Sequence, residues 1–506
     1  MSTLAARACL GLAACAWAAA LVALQAARFE AGFHYEWEDD ALTHQMLWNV
    51  GRGAFLENTI HPLHRPSHFE GVLVLLWPLY AGLSALIGAW PAVWTLKAVL
   101  LALAAPATFA LARGEGAAPQ RALLWGLVAL VLPGSLALGL STFRPLALVV
   151  APLVALVATV RAGRVGWTLL LTLLVLAFRE DLALSLVPLG LLCAWRRRWG
   201  LAGVLVGVPA LVYLVATRLV LPAVLPAGYE HIVFAQNVGP GLLERATDPS
   251  HLIAAAALLL PVLGLPITVA ESVIGAASLG AILVFKGGFA GNLLHFAGPA
   301  IAACLVGAVI AGERSGGLRW APQACLAVSA ALYLAPGGLA LVATDCAHNG
   351  APPDPALCTA ETPFSAVFTR APPHEAVRRA LAAEVPVNAS VAAPGHLLPP
   401  LSPRETLWEY GHSDVPFATA EYILLDDIDR YAGAGRYLAL RPGTLNAHLS
   451  VLAATHDVLR MEHGVALLRR VRPGPDLSAT LRALLPRRDV APSERRGVRA
   501  PGAEKR

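Results

Sequence analysis

Apolar runs long enough to cross a bilayer recur from the first residues of this chain to about residue 343. No soluble fold can bury so many of them. A crossing needs roughly 20 mostly apolar residues. Candidate spans lie at 4–26, 71–88, 91–112, 122–141, 145–161, 165–178, 181–195, 200–221, 252–269, 272–289, 294–312 and 320–343. Hydrophobic residues make up 57% of the 506 and charged residues 14%, with a mean hydropathy of +0.61. A soluble domain holds about 45–50% apolar and about 25% charged residues. A soluble cytosolic enzyme is therefore excluded, and so is a disordered protein. Seven Cys in a chain of 506 is not a disulfide scaffold. The first apolar run exceeds the roughly 7–15 residues of a signal-peptide core, which predicts an uncleaved first helix.

Short basic loops mark the cytoplasmic side of a membrane protein. Three stand out: Arg161 with Arg164, Arg196 to Arg198, and Arg314 with Arg319. Even numbers of spans separate them, so all three fall on one face. The loops at 142–145, 179–181, 222–251 and 286–294, and everything after 344, are then expected outside. So is the loop 27–70, but three spans separate it from 142–145, where an even number is needed. Pro133-Gly134 breaks 122–141 in its middle. The parity is repaired if 122–141 enters and returns on one side, since broken backbone at membrane depth is tolerated inside protein. About 11–12 spans are expected in all.

The net charge of +5 comes from 38 basic residues, of which only Lys97, Lys286 and Lys505 are Lys. No folded segment concentrates that charge as a nucleic-acid binder does. The expected organisation is a transmembrane helical domain over 1–344, a small extracytoplasmic α/β domain over 345–470 and a disordered basic tail over 471–506. In the second region, Ser390–Ala393, Tyr422–Leu425 and Val465–Leu468 read as strands, and 374–384 and 445–460 as helices. Cys346 and Cys358 share this stretch, either as a disulfide or as two thiols.

The loop 27–70 is the most polar stretch between spans. It carries Glu36, Glu38, Asp39, Asp40, His44, His61, His64 and His68, interleaved with Phe33, Tyr35, Trp37 and Trp48. Carboxylates beside imidazoles suit a divalent metal or a general base. The plainer alternative is a solvated loop with aromatic interface anchors. Arg144, the triplet Arg179-Glu180-Asp181 and His295 stand at span ends on the same expected face. Boundary charges of this kind are functional candidates, although the triplet could simply be an ion-paired turn. Glu271 falls on the opposite side and reads as a helix-start residue. No Walker loop or dinucleotide fingerprint is present, so chemistry at the outer face needs a substrate that arrives activated.

An ordered set of motifs resembles a bacterial membrane family known as domain of unknown function 2079. It begins with Asp39 followed by Gln45-Met46-Leu47-Trp48-Asn49, then Ser67-His68-Phe69 before an apolar run ending Trp77-Pro78-Leu79-Tyr80. Phe143-Arg144-Pro145 resembles the family's Phe-His-Pro motif, and Arg179-Glu180-Asp181 its Lys-Glu-Asp motif. His295 resembles a His before a late Pro-containing span. Ala389–Ala393, Leu401–Arg404 and Glu421–Asp426 resemble its C-terminal region. Arg144 replaces a His, and His44 stands where an acid is expected.

The layout is similar to GT-C glycosyltransferases, and that similarity implies a function. The expected protein is a multi-pass bacterial inner-membrane enzyme taking a polyprenyl-phosphate-linked sugar at the extracytoplasmic face. Asp39 and Asp40 would be catalytic. Arg144, Arg179, Glu180, Asp181 and His295 would bind substrate. A divalent metal, with His68 as a ligand, is the implied cofactor. The alternative is a non-enzymatic transporter or scaffold.

Overall fold

The computed structural model describes residues 1–30, 37–60, 68–224, 255–284, 289–314, 318–334, 373–410, 419–426 and 450–471. Glu36, His61, His64, Cys346, Cys358 and the tail beyond 471 lie outside these residues, as does the 344/345 boundary. Most of what is described is helix. The bundle comprises α1 (Thr3–Glu30), α2 (Trp37–Val50), α3 (Val72–Ile87), α4 (Ala89–Ala102), α5 (Ala104–Gly114), α6 (Pro119–Val131) and α7 (Pro133–Leu140). It continues with α8 (Val150–Arg161), α9 (Val165–Phe178), α10 (Ala183–Trp195), α11 (Trp199–Val215), α12 (Ala276–Val284), α13 (Phe289–Arg314) and α14 (Ala321–Leu334). Among the described residues four helices are long and apolar enough to cross a membrane: Thr3–Glu30, Ala89–Gly114, Trp199–Ala223 and Ala297–Arg314. The pair α6–α7, bent by 42°, makes a fifth, and shorter apolar helices pack between them.

The expected basic loops do share one face. Arg161 bonds Glu115 at 2.7 Å and Glu271 at 3.0 Å. Arg196 reaches the same Glu271 oxygen at 2.7 Å and Arg314 approaches it at 3.6 Å. Glu271 does open a short 3₁₀ helix, Ala270–Gly275, but it is also the acid on which three turns converge. We call this end the arginine face.

Two spans are assigned differently by the structure. The segment 122–141 does not return to its own side. Leu10 of α1 packs on Gly126, and Leu21 packs on Gly139, each leaving no room for a Cβ. Further along, Gln25 and Arg28 reach the carbonyls of Gly139 and Leu140. The pair α6–α7 therefore runs parallel to α1 along most of its length and crosses with it. Its first residues sit at the arginine face, where Arg121 bonds Glu313 and the carbonyls of Gly312 and Leu318. Pro133 explains the break, because it forces the preceding Leu132 to an extended ψ of 128°.

The segment that does not cross is 71–88, now α3. Gly71 lies against the carbonyl of Ala177, and Phe69 N–H donates to Glu180, both far from the arginine face. At its other end, Trp90 Nε1 donates to Pro399 O in the C-terminal domain, 2.8 Å away. Both ends of α3 thus lie on the face opposite the arginines. Leu75, Leu79 and Leu86 form an exposed apolar stripe along it, as on a helix lying at a membrane surface. The exchange of one crossing for another keeps the parity that the basic loops demand.

The C-terminal α/β domain sits on this opposite face, called the domain face below. Its helix α15 (Pro373–Glu384) matches the expected 374–384. Five strands follow: β1 (Val391–Ala393), β2 (Leu407–Glu409), β3 (Tyr422–Asp426), β4 (His456–Glu462) and β5 (Val465–Arg470). Their order is β2-β1-β3-β5-β4, with β1 parallel to β2 and β3, and β5 antiparallel to β3 and β4. The expected helix 445–460 is corrected here: its last residues are strand β4. His463 and Gly464 both hold positive φ, 49° and 81°, the geometry of a two-residue hairpin turn whose twist suits the strands. Ala41 and Ile60 of the 27–70 loop join Val391, Leu407, Leu424 and Leu467 in the core of this domain.

Cysteines introduced near 119 and near 143 should label from opposite sides of the membrane, and cysteines at 70 and 88 from the same side. Labelling of 119 and 143 from one side would restore the re-entrant segment and remove this topology.

Candidate functional site

A helix that ends inside a bundle leaves its last carbonyls without partners, and α7 ends at Leu140. Three consecutive carbonyls are taken by side chains from other helices. Gln25 Nε2 donates to Gly139 O, Arg28 donates to Leu140 O at 3.2 Å, and Lys97 Nζ donates to Ser141 O. Arg28 and Lys97 are each only 1% exposed. Cations at the carbonyl end of a helix also complement its dipole. The turn 141–144 is thereby fixed, and it carries the first polar cluster.

Asp40 accepts Phe143 N–H at 2.6 Å and interacts electrostatically with Lys97. Its neighbour Asp39 forms an ion pair with Arg144, whose Nε is steadied by Thr142 Oγ1 at 3.0 Å. The sequence reading places Asp39 and Asp40 as equals. The structure separates them: Asp39 and Arg144 keep 32% and 21% of their side-chain surface, whereas Asp40 is tied to backbone and to a buried lysine.

The second cluster lies where α9 gives way to α10. The extended backbone of Arg179 turns the charged triplet out of the helix. Arg179 Nε donates to Asp181 at 2.7 Å. Glu180, fully buried, accepts from His68 Nδ1 at 2.9 Å and from Phe69 N–H at 2.7 Å. Burial works against ionising Glu180. The hydrogen bond and charge of His68 outweigh it, and the carboxyl stays below the usual range. Glu70, which the sequence reading passed over, faces the same group. Burial pushes its carboxyl up to about 8, with Arg179 opposing and the charges of Glu180 and Asp181 adding to the rise. Its signal in the sequence is weak: a single acid two residues after a candidate metal ligand, at the mouth of an apolar run.

The C-terminal domain is held on the same face by α2 and the segment that follows it. Gln45 Nε2 donates to Arg404 O at 2.9 Å and its Oε1 accepts Thr59 N–H at 2.9 Å. Thr59 Oγ1 in turn accepts Leu407 N–H at 2.9 Å. Arg52 pairs with Glu405 at 2.8 Å. His44 is fully buried between the hydroxyls of Tyr80 and Ser402, at 2.7 and 2.9 Å, with Trp90 packed edge-on 4.5 Å away. Burial drives its pKa down to about 3. The 27–70 segment is therefore not a solvated loop over its described length. Its α2 is an internal clamp between bundle and domain, and His44 is a packing residue.

Asp39, Asp40, His68, Arg144 and the triplet thus all lie on one face, in two groups. His295 lies on α13, and its side chain is outside the described residues. Among the described residues no group of three or more His, Cys, Asp or Glu is placed to hold a metal ion. In this structure His68 bonds Glu180, and Asp39 pairs with Arg144.

The family assignment rests on residues 39–455, which match the family described as Predicted membrane protein (DUF2079). The chain belongs to the DUF2079 family. No curated protein matches the sequence. Among solved structures, the DUF2079 chain is similar to ArnT from Cupriavidus metallidurans bound to undecaprenyl phosphate. The TM-score is 0.51 at 16% identity, covering 91% of this chain and 99% of that one. The apo form of the same ArnT gives 0.51 and 16%, covering 91% and 98%. At this identity the likeness shows a shared fold.

Two outcomes test the site's architecture. Lys97→Met removes the partner of Ser141 O and of Asp40, and should cost about 3–5 kcal/mol, read as a lowered melting temperature in detergent. His44 binds no proton in the folded state until pH nears 3, whereas unfolded His does so at 6.5. Its contribution to stability is present above pH 6.5 and is lost as pH falls from there toward 3. His44→Gln should flatten the melting temperature over that window; an unchanged slope would remove His44 as its cause.

Proposed function

We propose that this DUF2079 protein is a GT-C-type glycosyltransferase that takes a sugar from a polyprenyl phosphate at the extracytoplasmic face of the inner membrane. The observation that carries the reading is the pairing of carboxylates with guanidinium groups on the face that carries the C-terminal domain, opposite the basic loops. Similarity of fold to a protein crystallised with undecaprenyl phosphate supports it. The positive-inside preference makes the arginine face cytoplasmic and the domain face external.

In such a transfer the acceptor hydroxyl attacks the anomeric carbon of the sugar. The bond from that carbon to the phosphate oxygen breaks, and its electron pair leaves with the polyprenyl phosphate. The hydroxyl proton goes to a carboxylate. Asp39, whose side chain keeps 32% of its surface, takes this role, while Asp40 accepts Phe143 N–H and holds the 141–144 turn in place. Arg144 and Arg179 balance the phosphate charge, with Glu180 and Asp181 fixing the second guanidinium, and His295 completes the donor side. Preorganised positive groups where charge develops are a large source of rate enhancement. No step is routed through a divalent metal. Chelation distinguishes the two cases: activity that survives it supports guanidinium groups alone, and activity lost to it and restored by a divalent cation returns His68 as a ligand.

Removing a general base lowers a rate by about 10²–10⁴-fold. Asp39→Asn should abolish measurable transfer in membranes while leaving the melting temperature of the protein unchanged. Asp40→Asn should lower both, since Asp40 is built into the fold. Full transfer by the Asp39→Asn protein would exclude it as the base. Substrate uptake into vesicles without any glycan change would favour a transporter instead.

A further inference from the structure

One cavity in the described residues is lined by no residue of either polar cluster. It is a groove of about 630 Å³ in the membrane half nearer the arginine face. Leu191 and Trp195 of α10, Leu258 and Ile267 line it, with Ala303 buried at its base and Ala276 exposed on its open side. Its rim is unusually exposed for an apolar surface: Trp195 is 83% and Ile267 76% accessible. The groove is open to the lipid side of the bundle, not sealed inside it.

What stands at its end identifies an occupant. Arg196 follows Trp195 directly, and Glu271 precedes Ser272, another lining residue. The ion pair between Arg196 and Glu271, at 2.7 Å, therefore closes the groove on the arginine side. Arg161, Arg196 and Arg314 gather at this end against the carboxylates of Glu115 and Glu271, and Arg197 and Arg198 follow in the same turn, Arg198 donating to Val160 O at 3.0 Å. Arg196 and Arg314 remain 39% and 45% exposed at the side chain, and Arg197 is exposed on a turn with φ of 58°. An apolar slot leading to an excess of positive charge at the membrane surface matches an acyl chain leading to an anionic headgroup.

We propose that this groove is a binding site for an anionic glycerophospholipid, with an acyl chain along α10 and its phosphate at Arg196 and Arg197. The site lies in the opposite membrane half from the clusters assigned to sugar transfer, so it does not rest on that reading. Basic pockets between helices on the cytoplasmic side are known places for such headgroups. The lipid here would bridge α10 and the 258–279 segment, which the Arg196–Glu271 pair already ties together.

The test uses the full chain in detergent, titrated with phosphatidylglycerol or phosphatidylcholine of matched acyl chains, with bound lipid counted by native mass spectrometry. Phosphatidylglycerol should be retained in preference. Arg197→Gln should reduce that preference about fivefold, the worth of one basic residue near an anionic surface, without changing the melting temperature. Ala276→Trp fills the open side of the groove and should lower retention of both lipids. Equal retention of the two lipids by the parent protein would overturn the proposal. So would retention unchanged in both variants, or a co-purifying occupant whose mass is that of a polyprenyl phosphate.

Discussion

A helix broken within the membrane end of a bundle must have its loose carbonyls satisfied by protein, because hydrocarbon offers no water to take them. Everything polar on the domain face depends on how this chain meets that constraint. Pro133 breaks the crossing, and the second half, α7, stops at Leu140. Gln25, Arg28 and Lys97 then take the carbonyls of residues 139, 140 and 141 in succession. Those side chains come from α1 and α4, so three crossings are locked at one level. The turn that follows can only present Phe143 N–H to Asp40 and Arg144 to Asp39.

The opposite face is built on the inverse arrangement. There, guanidinium groups from three connecting turns converge on the buried Glu271. Each turn alone would be a solvated basic loop, but the shared acid converts them into one fixed end plate. The two faces differ in what their charges do. On the arginine side, charge closes the bundle and leaves a positive surface. On the domain side, charge is paired within two small clusters, and Glu70 is left with its carboxyl pushed up to about 8. Paired charges close to the ends of several helices are where group-transfer chemistry gains most from electrostatic preorganisation.

Much of this was legible in the chain. Hydropathy gave a multi-pass bundle, and Arg161, Arg196 and Arg314 gave a common face, because the positive-inside preference acts on short loops irrespective of packing. Three of the five strands and helix 374–384 could also be read. Hydropathy could not tell that 71–88 lies along one face and that 122–141 crosses. Both are apolar for about the same length, and a helix at a membrane surface needs an apolar stripe as much as a crossing does. The helix expected over 445–460 is present over 450–455 and gives way at His456 to β4, which the positive φ of His463 and Gly464 turns back onto β5. Asp39, Asp40, Arg144 and the triplet were found because charges at span ends are rare. Arg28 and Lys97 were missed because they lie within apolar runs, where a single cation looks like an exception.

The sequence by itself therefore determined the solvent of this protein, the number of faces and which charged residues reach them. These follow from the free energy of moving side chains between water and hydrocarbon, which depends on each segment alone. Only the tertiary structure decided which segment crosses, that Asp39 pairs with Arg144 while Asp40 takes Phe143 N–H, and that His44 is a core residue between Tyr80 and Ser402. Those outcomes depend on partners 36 to 358 residues away in the chain. A hydrogen bond between buried groups is fixed by where the packing of large apolar faces brings them, and that packing is not written in any one stretch.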